Sequence, residues 1–189
     1  MKRILYRCTL LILITLLTGC EEPAPRWPVK EKGADFLKQS AERNRRLLEQ
    51  EQSLLDTLVS RDTLHTYIRS ESGSRYYYLV KAASAGYTPE PEDWVTLQYD
   101  LATWTGDTLY SADQIGTVRY KVDKQELFPG LRHSVKLLQA GESAVFYFPS
   151  SLAFGYHGDE DRIGPNLPVR STLTLLTIEK NTDSVGINP

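Results

Sequence analysis

The hydrophobic period of this chain changes at Asp62, and that change limits the folds open to it. From Ala34 to Ser60, the residues Leu37, Ala41, Asn44, Leu48, Glu51, Leu55 and Leu58 recur at three-four spacing, and Phe36, Leu47, Leu54 and Val59 widen the stripe. Beyond Asp62 the pattern approaches alternation, in short runs cut by turn residues. The first stretch predicts one long helix and the second a strand-rich domain. Asn44 and Glu51 interrupt the helical stripe with polar groups, and Glu42 stands one helical turn before Arg46, a surface pair. A helix of this kind serves as a spacer or packing arm; three heptads are thin support for the alternative, a coiled-coil dimeriser.

In the second stretch, Thr63–Ile68 reads as an edge strand, Ser70–Ser74 as a turn and Tyr76–Val80 as a strand apolar or aromatic on both faces. The tyrosines Tyr76 to Tyr78 are packing residues, or one of them extends a binding surface. A turn from Gly86 to Asp93 carries Pro89 and Pro91. Trp94–Tyr99 then alternates, with Val95, Leu97 and Tyr99 on one face. Thr105–Asp107 is a turn before Leu109–Tyr110. Between Gln125 and Gly141 lies the single further helical candidate, with Leu131, Val135 and Leu138 at helical spacing and Gly141 as its left-handed stop. Ala144–Phe148 and Leu173–Ile178 are the last strands. The plan is α+β: one twisted antiparallel sheet laid over one short helix, preceded by a helical arm.

The N-terminus is a separate case. Lys2, Arg3 and Arg7 precede an apolar run from Leu10 to Leu17, too short to span a bilayer but suited to a signal peptide. Leu17-Thr18-Gly19-Cys20 resembles a bacterial lipobox, which implies lipidation of Cys20 and membrane attachment through it. The alternative is an ordinary signal peptide that contains a cysteine. The chain divides into a signal peptide at 1–19, a lipid-anchored tether at 20–33 rich in proline, a helical arm at 34–62, a domain at 63–180 and a polar tail at 181–189. A lipid-anchored protein of this type belongs to the cell envelope, and the expected place is the outer membrane facing the periplasm. Removing the leader leaves 19 Lys plus Arg against 24 Asp plus Glu, a net charge of −5. No basic nucleic-acid surface follows from such a balance, so no nucleic-acid partner is expected. The two cysteines, Cys8 and Cys20, lie in or beside the leader, so the rest of the chain can form neither a disulfide nor a thiolate metal site.

Reactive groups are scarce. His65, His133 and His157 sit in three different elements, and the chain has no HExxH, GxSxG, CxxC or glycine-rich phosphate loop. Asp159-Glu160-Asp161 reads as a solvated turn, with a calcium site as the alternative. The usual tools of acyl transfer, phosphoryl transfer and redox chemistry are missing, and neither a metal nor a cofactor is expected.

An ordered set of apolar and aromatic residues beside turns is present instead. Val95-Thr96-Leu97-Gln98-Tyr99, Thr105-Gly106-Asp107-Thr108-Leu109, Gln125 to Leu131, Leu138 to Glu142, Phe148 to Tyr156 and Leu167-Pro168 to Leu173 follow one another in order and approximate spacing. In this the segment from about residue 75 to 180 resembles an FKBP-type peptidyl-prolyl cis/trans isomerase. With the leader and the arm in front, the whole is similar to FKBP-like lipoproteins of the Bacteroidetes envelope, including gliding-motility-associated isomerases. The resemblance implies an FKBP-like fold and an apolar substrate pocket. Tyr99 takes the place of the family's strand tyrosine, Leu109 that of a phenylalanine, and Val118 and Tyr120 lie on a further wall strand. Leu127 and Phe128 match the apolar pair that meets the peptide, Leu131 the tryptophan floor, and Phe154 the tyrosine that grips a substrate carbonyl. Leu167 and Leu175 close the far side. Tyr110 stands where the family has an aspartate, and Tyr156 and His157 lie on the loop over the pocket.

The catalytic set implied is Tyr99, Leu109, Phe128, Leu131, Phe154 and Leu167, and the substrate-binding set Tyr110, Val118, Tyr120, Leu127, Tyr156 and Leu175. Such an enzyme would act on proline-containing unfolded or nascent envelope proteins. The alternative is a catalytically weak or inactive binding or chaperone subunit of an envelope complex, docked through the cleft or through residues 34–60.

Overall fold

A computed structural model describes residues 31–182 of the chain. The leader with Cys20, the tether as far as residue 30 and the tail from residue 183 lie outside the described residues. Helix α1, Glu31–Arg61, occupies the stretch of helical period. Its exposed side carries ion pairs one turn apart, Arg46 to Glu42 at 2.7 Å and Arg45 to Glu49 at 3.8 Å. From Ala41 onward the chain forms one compact unit. Within that unit α1 buries Leu55 completely and Glu51 nearly so, and Arg75 reaches back to Asp56 at 2.6 Å.

Among the described residues, eight strands make one antiparallel sheet: β1 Ile68–Arg69, β2 Arg75–Val80, β3 Trp94–Tyr99, β4 Leu101–Thr103, β5 Thr108–Tyr110, β6 Val118–Lys121, β7 Ser143–Phe148 and β8 Val169–Glu179. Their order is β1-β2-β7-β8-β3-β6, and β4 pairs with both β5 and β8. The long β8 is the spine, since β7, β3 and β4 all pair with it. Alternation along β3 buries Val95 and Leu97 and leaves Gln98 exposed. Register then sets Leu97 against Leu175 and Tyr99 against Leu173. Tyr76 lies opposite Phe146 and stacks on it with ring centroids 4.9 Å apart. Helix α3, Pro129–Val135, lays Leu131 and Val135 into the same core as Leu97, Tyr120, Phe148 and Leu173.

Two sequence expectations change and one element is new. The edge strand expected at Thr63–Ile68 shrinks to Ile68–Arg69, because Asp62 captures the residues before it. Its carboxylate accepts from the Leu64 backbone N–H (2.9 Å) and the Tyr67 hydroxyl (2.9 Å) and pairs with His65 Nδ1 (2.8 Å). A local turn thus takes the place of ladder bonds. The helix expected between Gln125 and Gly141 covers only Pro129–Val135. Beyond it the chain tightens, Leu137 N–H donating to Ser134, and buried Glu142 takes the Gln139 N–H (2.8 Å) and the Ala82 N–H (2.9 Å). Gly141 therefore closes the turn into β7 and does not stop the helix. An unexpected four-residue helix, α2 Ala112–Ile115, starts at a capping box of Ser111 and Gln114, a signal that the sequence carries.

Candidate functional site

Phe128 is the residue before α3, in extended backbone, and Pro129 opens the helix with a φ already suited to it. The next residue, Gly130, lies so close to the wall that an added Cβ would meet the Phe148 ring at 2.5 Å and the Leu152 carbonyl at 2.8 Å. That approach sets Phe128 edge-on to Phe148, with centroids 5.5 Å apart, and beside Phe154 at 5.2 Å. Phe154 is carried by the segment after a short 3-10 helix, Ser150–Leu152. Backbone bonds hold that segment on both sides: Gly155 N–H donates to Ser150 and Asn166 N–H to Gly155.

Like this pair, Tyr99, Leu109, Tyr110, Val118, Leu127 and Leu167 are half-buried and packed against the core. They keep apolar surface that a ligand can touch. Burial pushes the Tyr99 phenol above its usual pKa, so it stays a neutral hydroxyl at ordinary pH. Leu131, Tyr120 and Leu175 have a different place. All three are sealed in the core, Leu131 with no exposure, and they support the surface from beneath without offering contact. Tyr156 is 75% exposed and lines a cavity whose walls include Leu47, Leu48 and Ser150 and none of the wall or supporting residues just named. His157 is exposed and meets Tyr156 edge-on.

The acidic run at 159–161 acquires a role the sequence did not suggest. Tyr110 donates its hydroxyl to Asp159 Oδ2 (2.5 Å) and to Asp161 Oδ2 (3.2 Å). Asp159 Oδ1 also accepts the backbone N–H of Asp161 and of Ile163. Its hydrogen bond to Asp159, with burial, pushes the Tyr110 phenol up to about 12. Burial pushes Asp159 upward, but the Tyr110 hydroxyl and the loop N–H groups outweigh it and leave the carboxyl below its usual value. Arg162 completes the lock, its guanidinium lying over the Tyr110 ring and donating to the Leu109 carbonyl at 2.8 Å. These contacts tie β5 to the loop after Phe154. The partners are some fifty residues apart, so no local pattern announces them.

Such a surface has apolar walls, no nucleophile and backbone held in place.

Residues 86–176 match the family model described as FKBP-type peptidyl-prolyl cis-trans isomerase. Over 149 residues the chain is 28% identical to a probable FKBP-type peptidyl-prolyl cis-trans isomerase FkpA of Neisseria meningitidis serogroup B, covering 79% of this chain and 46% of that protein. The chain thus spans about half the length of the curated relative it matches. Among solved structures, FkpA from Escherichia coli superposes with a TM-score of 0.57 at 18% identity, over 82% of this chain and 74% of that one. A peptidyl-prolyl cis-trans isomerase from Pseudomonas syringae pv. tomato superposes at 0.53 and 17% identity, over 72% and 96%. At these identities the two structures speak for the fold, an antiparallel sheet with a short helix and a helix in front.

Proposed function

We propose, from a domain of the FKBP-type peptidyl-prolyl isomerase family at residues 86–176, that this protein speeds cis/trans rotation about X-Pro bonds in polypeptides. The observation that carries the reading is the Phe128–Phe154 pair, half-exposed over a sealed core and held by backbone bonds on both flanks. Rotation is slow because the planar amide is conjugated. An apolar surface that fits the twisted amide better than the planar one lowers the barrier without a covalent step. Tyr99, Leu109, Phe128, Phe154 and Leu167 are the contact residues in this reading, with Leu127 and Val118 at the rim. Leu131, Tyr120 and Leu175 act through their support of that surface.

The test is an isomerisation assay on a set of X-Pro peptides and a proline-limited refolding protein. Wild type should accelerate both, and Phe128→Ala should lose several-fold or more in kcat/KM while remaining folded. Folded wild type indistinguishable from buffer on every substrate would overturn the proposal. One observation favours a second reading, a binding module without turnover. The Tyr110 hydroxyl is occupied by Asp159 and Asp161, and Phe154 has no hydroxyl to offer a substrate carbonyl. Peptide binding without rate enhancement is the outcome that reading expects.

The basic leader, its short apolar core and Leu17 to Cys20 support a lipid-anchored protein that assists folding in the cell envelope, with unfolded or nascent proline-containing proteins as clients. Cys20→Ala should move the protein from the detergent phase to the aqueous phase of fractionated cells. Unchanged partitioning would remove the anchor from the proposal.

A further inference from the structure

Phe154 follows closely on Ser150, and Ser150 is the hub of the turn that carries it. The Ser150 carbonyl accepts the N–H of Ala153 at 3.1 Å and of Gly155 at 2.9 Å, and the Gly155 carbonyl accepts the Asn166 N–H at 2.7 Å. One set of bonds thus fixes the backbone on both sides of Phe154. Its open end is the start of the 3-10 helix Ser150–Leu152. The residue before that helix is Pro149, which brings no side-chain acceptor, so no local cap takes the first N–H. Ser150 is buried, which keeps that N–H from bulk water as well.

The acceptor comes from α1. Glu51 Oε2 takes the Ser150 N–H at 2.8 Å. Only 5% of Glu51 is exposed, at a position where the stripe of the helix calls for an apolar side chain. Its Oε1 is buried and meets no donor, so burial leaves the carboxylate itself poorly satisfied. A leucine would suit this helix face better; what a leucine lacks is an acceptor. Apolar packing does not replace the bond, because a cavity of ≈160 Å³ opens beside it, lined by Leu47 and Leu48 of α1 and by Gly155, Tyr156 and Asn166.

We propose that Glu51 is a positioning residue of the peptide site: α1 holds Phe154 against Phe128 by capping, from a distant part of the chain, the turn on which Phe154 is carried. Phe128 is set within the domain, by Pro129 and the close approach of Gly130. The two rings of the site are therefore placed by different parts of the chain, and α1 is more than a spacer. Loss of the cap leaves the Ser150 N–H without an acceptor and loosens the turn. The Phe154 ring then leaves its place beside Phe128, where the centroids are 5.2 Å apart. A surface that must reorganise before it meets the twisted amide stabilises that amide less. The kinetic consequence rests on the isomerase reading; the positioning does not.

Three variants of the full chain separate reach, charge and packing at Glu51. Glu51→Leu suits the stripe and has no acceptor. Glu51→Asp keeps the carboxylate but is one methylene too short for the bond, and it serves if the leucine variant does not fold. Glu51→Gln loses the charge and keeps an oxygen at the same reach. Amide hydrogen exchange, followed by NMR, should be at least tenfold faster at Gly155 and Asn166 in the Leu and Asp variants, with the β3 amides unchanged. The Gln variant should return both amides towards wild type. Exchange at Gly155 and Asn166 that ignores the Leu and Asp changes overturns the proposal. So does equal acceleration over the whole domain, or a Gln variant that behaves like the Leu variant. On X-Pro peptides the Leu and Asp variants should lose several-fold in kcat with KM changed less than twofold, and the Gln variant should restore the rate. Faster local exchange with kcat untouched would remove the kinetic role. Wild type without any isomerisation would sink the isomerase reading, and exchange at Gly155 and Asn166 would still decide the cap.

Discussion

Phe154 has the ring but not the hydroxyl that a tyrosine would bring to its position, and its ring lies tilted against Phe128. One missing hydrogen bond to a substrate carbonyl is worth about 1 kcal/mol, or several-fold in rate. Phe154→Tyr should therefore keep or raise kcat/KM for a proline peptide, and a large fall would show that the hydroxyl has no room. Tyr110 is a different kind of departure. As an acid whose pKa rises from 10.0 to about 12 on folding, it contributes stability that is complete below pH 10 and is lost as the pH climbs through 12. Asp159, lowered from 3.8, contributes in full above that value and loses its share as the pH falls below it. Tyr110→Phe removes the bond both depend on. The difference in melting temperature between wild type and variant should be greatest between those limits and shrink at each end. A constant difference from pH 2 to pH 12 would mean that neither titration is linked to this bond. Nothing in the sequence pairs Tyr110, read as a substrate-binding residue, with the acidic run read as a turn or a calcium site.

At the scale of elements, the strands were readable where alternation is uninterrupted. Trp94–Tyr99 has the bounds expected, since nothing in it competes for the backbone. Thr63 to Tyr67 has strand-like composition too, yet Asp62 offers its backbone and side chains a nearer partner. Helix α3 is short for a similar reason, with Glu142 drawing Gln139 out of helical geometry. Its position depends on Gly130, whose missing Cβ lets the helix sit on Phe148 and Leu152. Gly130→Ala should cost about 1–3 kcal/mol by overpacking and should also displace Phe128. Urea denaturation would give the first quantity and peptide binding the second. An unchanged midpoint would show that the wall yields at no cost.

For the whole molecule, the main core contains no residue earlier than Tyr76 among the described residues, so the sheet and α3 close it by themselves. The part of α1 from Ala41 nevertheless belongs to the same compact unit, through Leu55, Glu51 and the Asp56–Arg75 pair. Removing residues 1–60 should leave a cooperative transition in circular dichroism at a lower midpoint, and Leu55→Ala alone should cost about 2–5 kcal/mol. A non-cooperative truncated chain would place α1 inside the folding unit. The sequence by itself determined the helix and the strand-rich domain after Asp62, because period and turn chemistry are local properties of the chain; the candidate site residues Tyr99, Phe128, Phe154 and Leu167 came from the family resemblance. Only the tertiary structure decided which of these keep surface and which are sealed, as Leu131, Tyr120 and Leu175 are. It alone joined Tyr110 to Asp159 and Glu51 to Ser150 across 49 and 99 residues. Those pairs depend on where the sheet brings distant backbone together, and burial turns a carboxylate that would be unremarkable in water into a group that must find its donors.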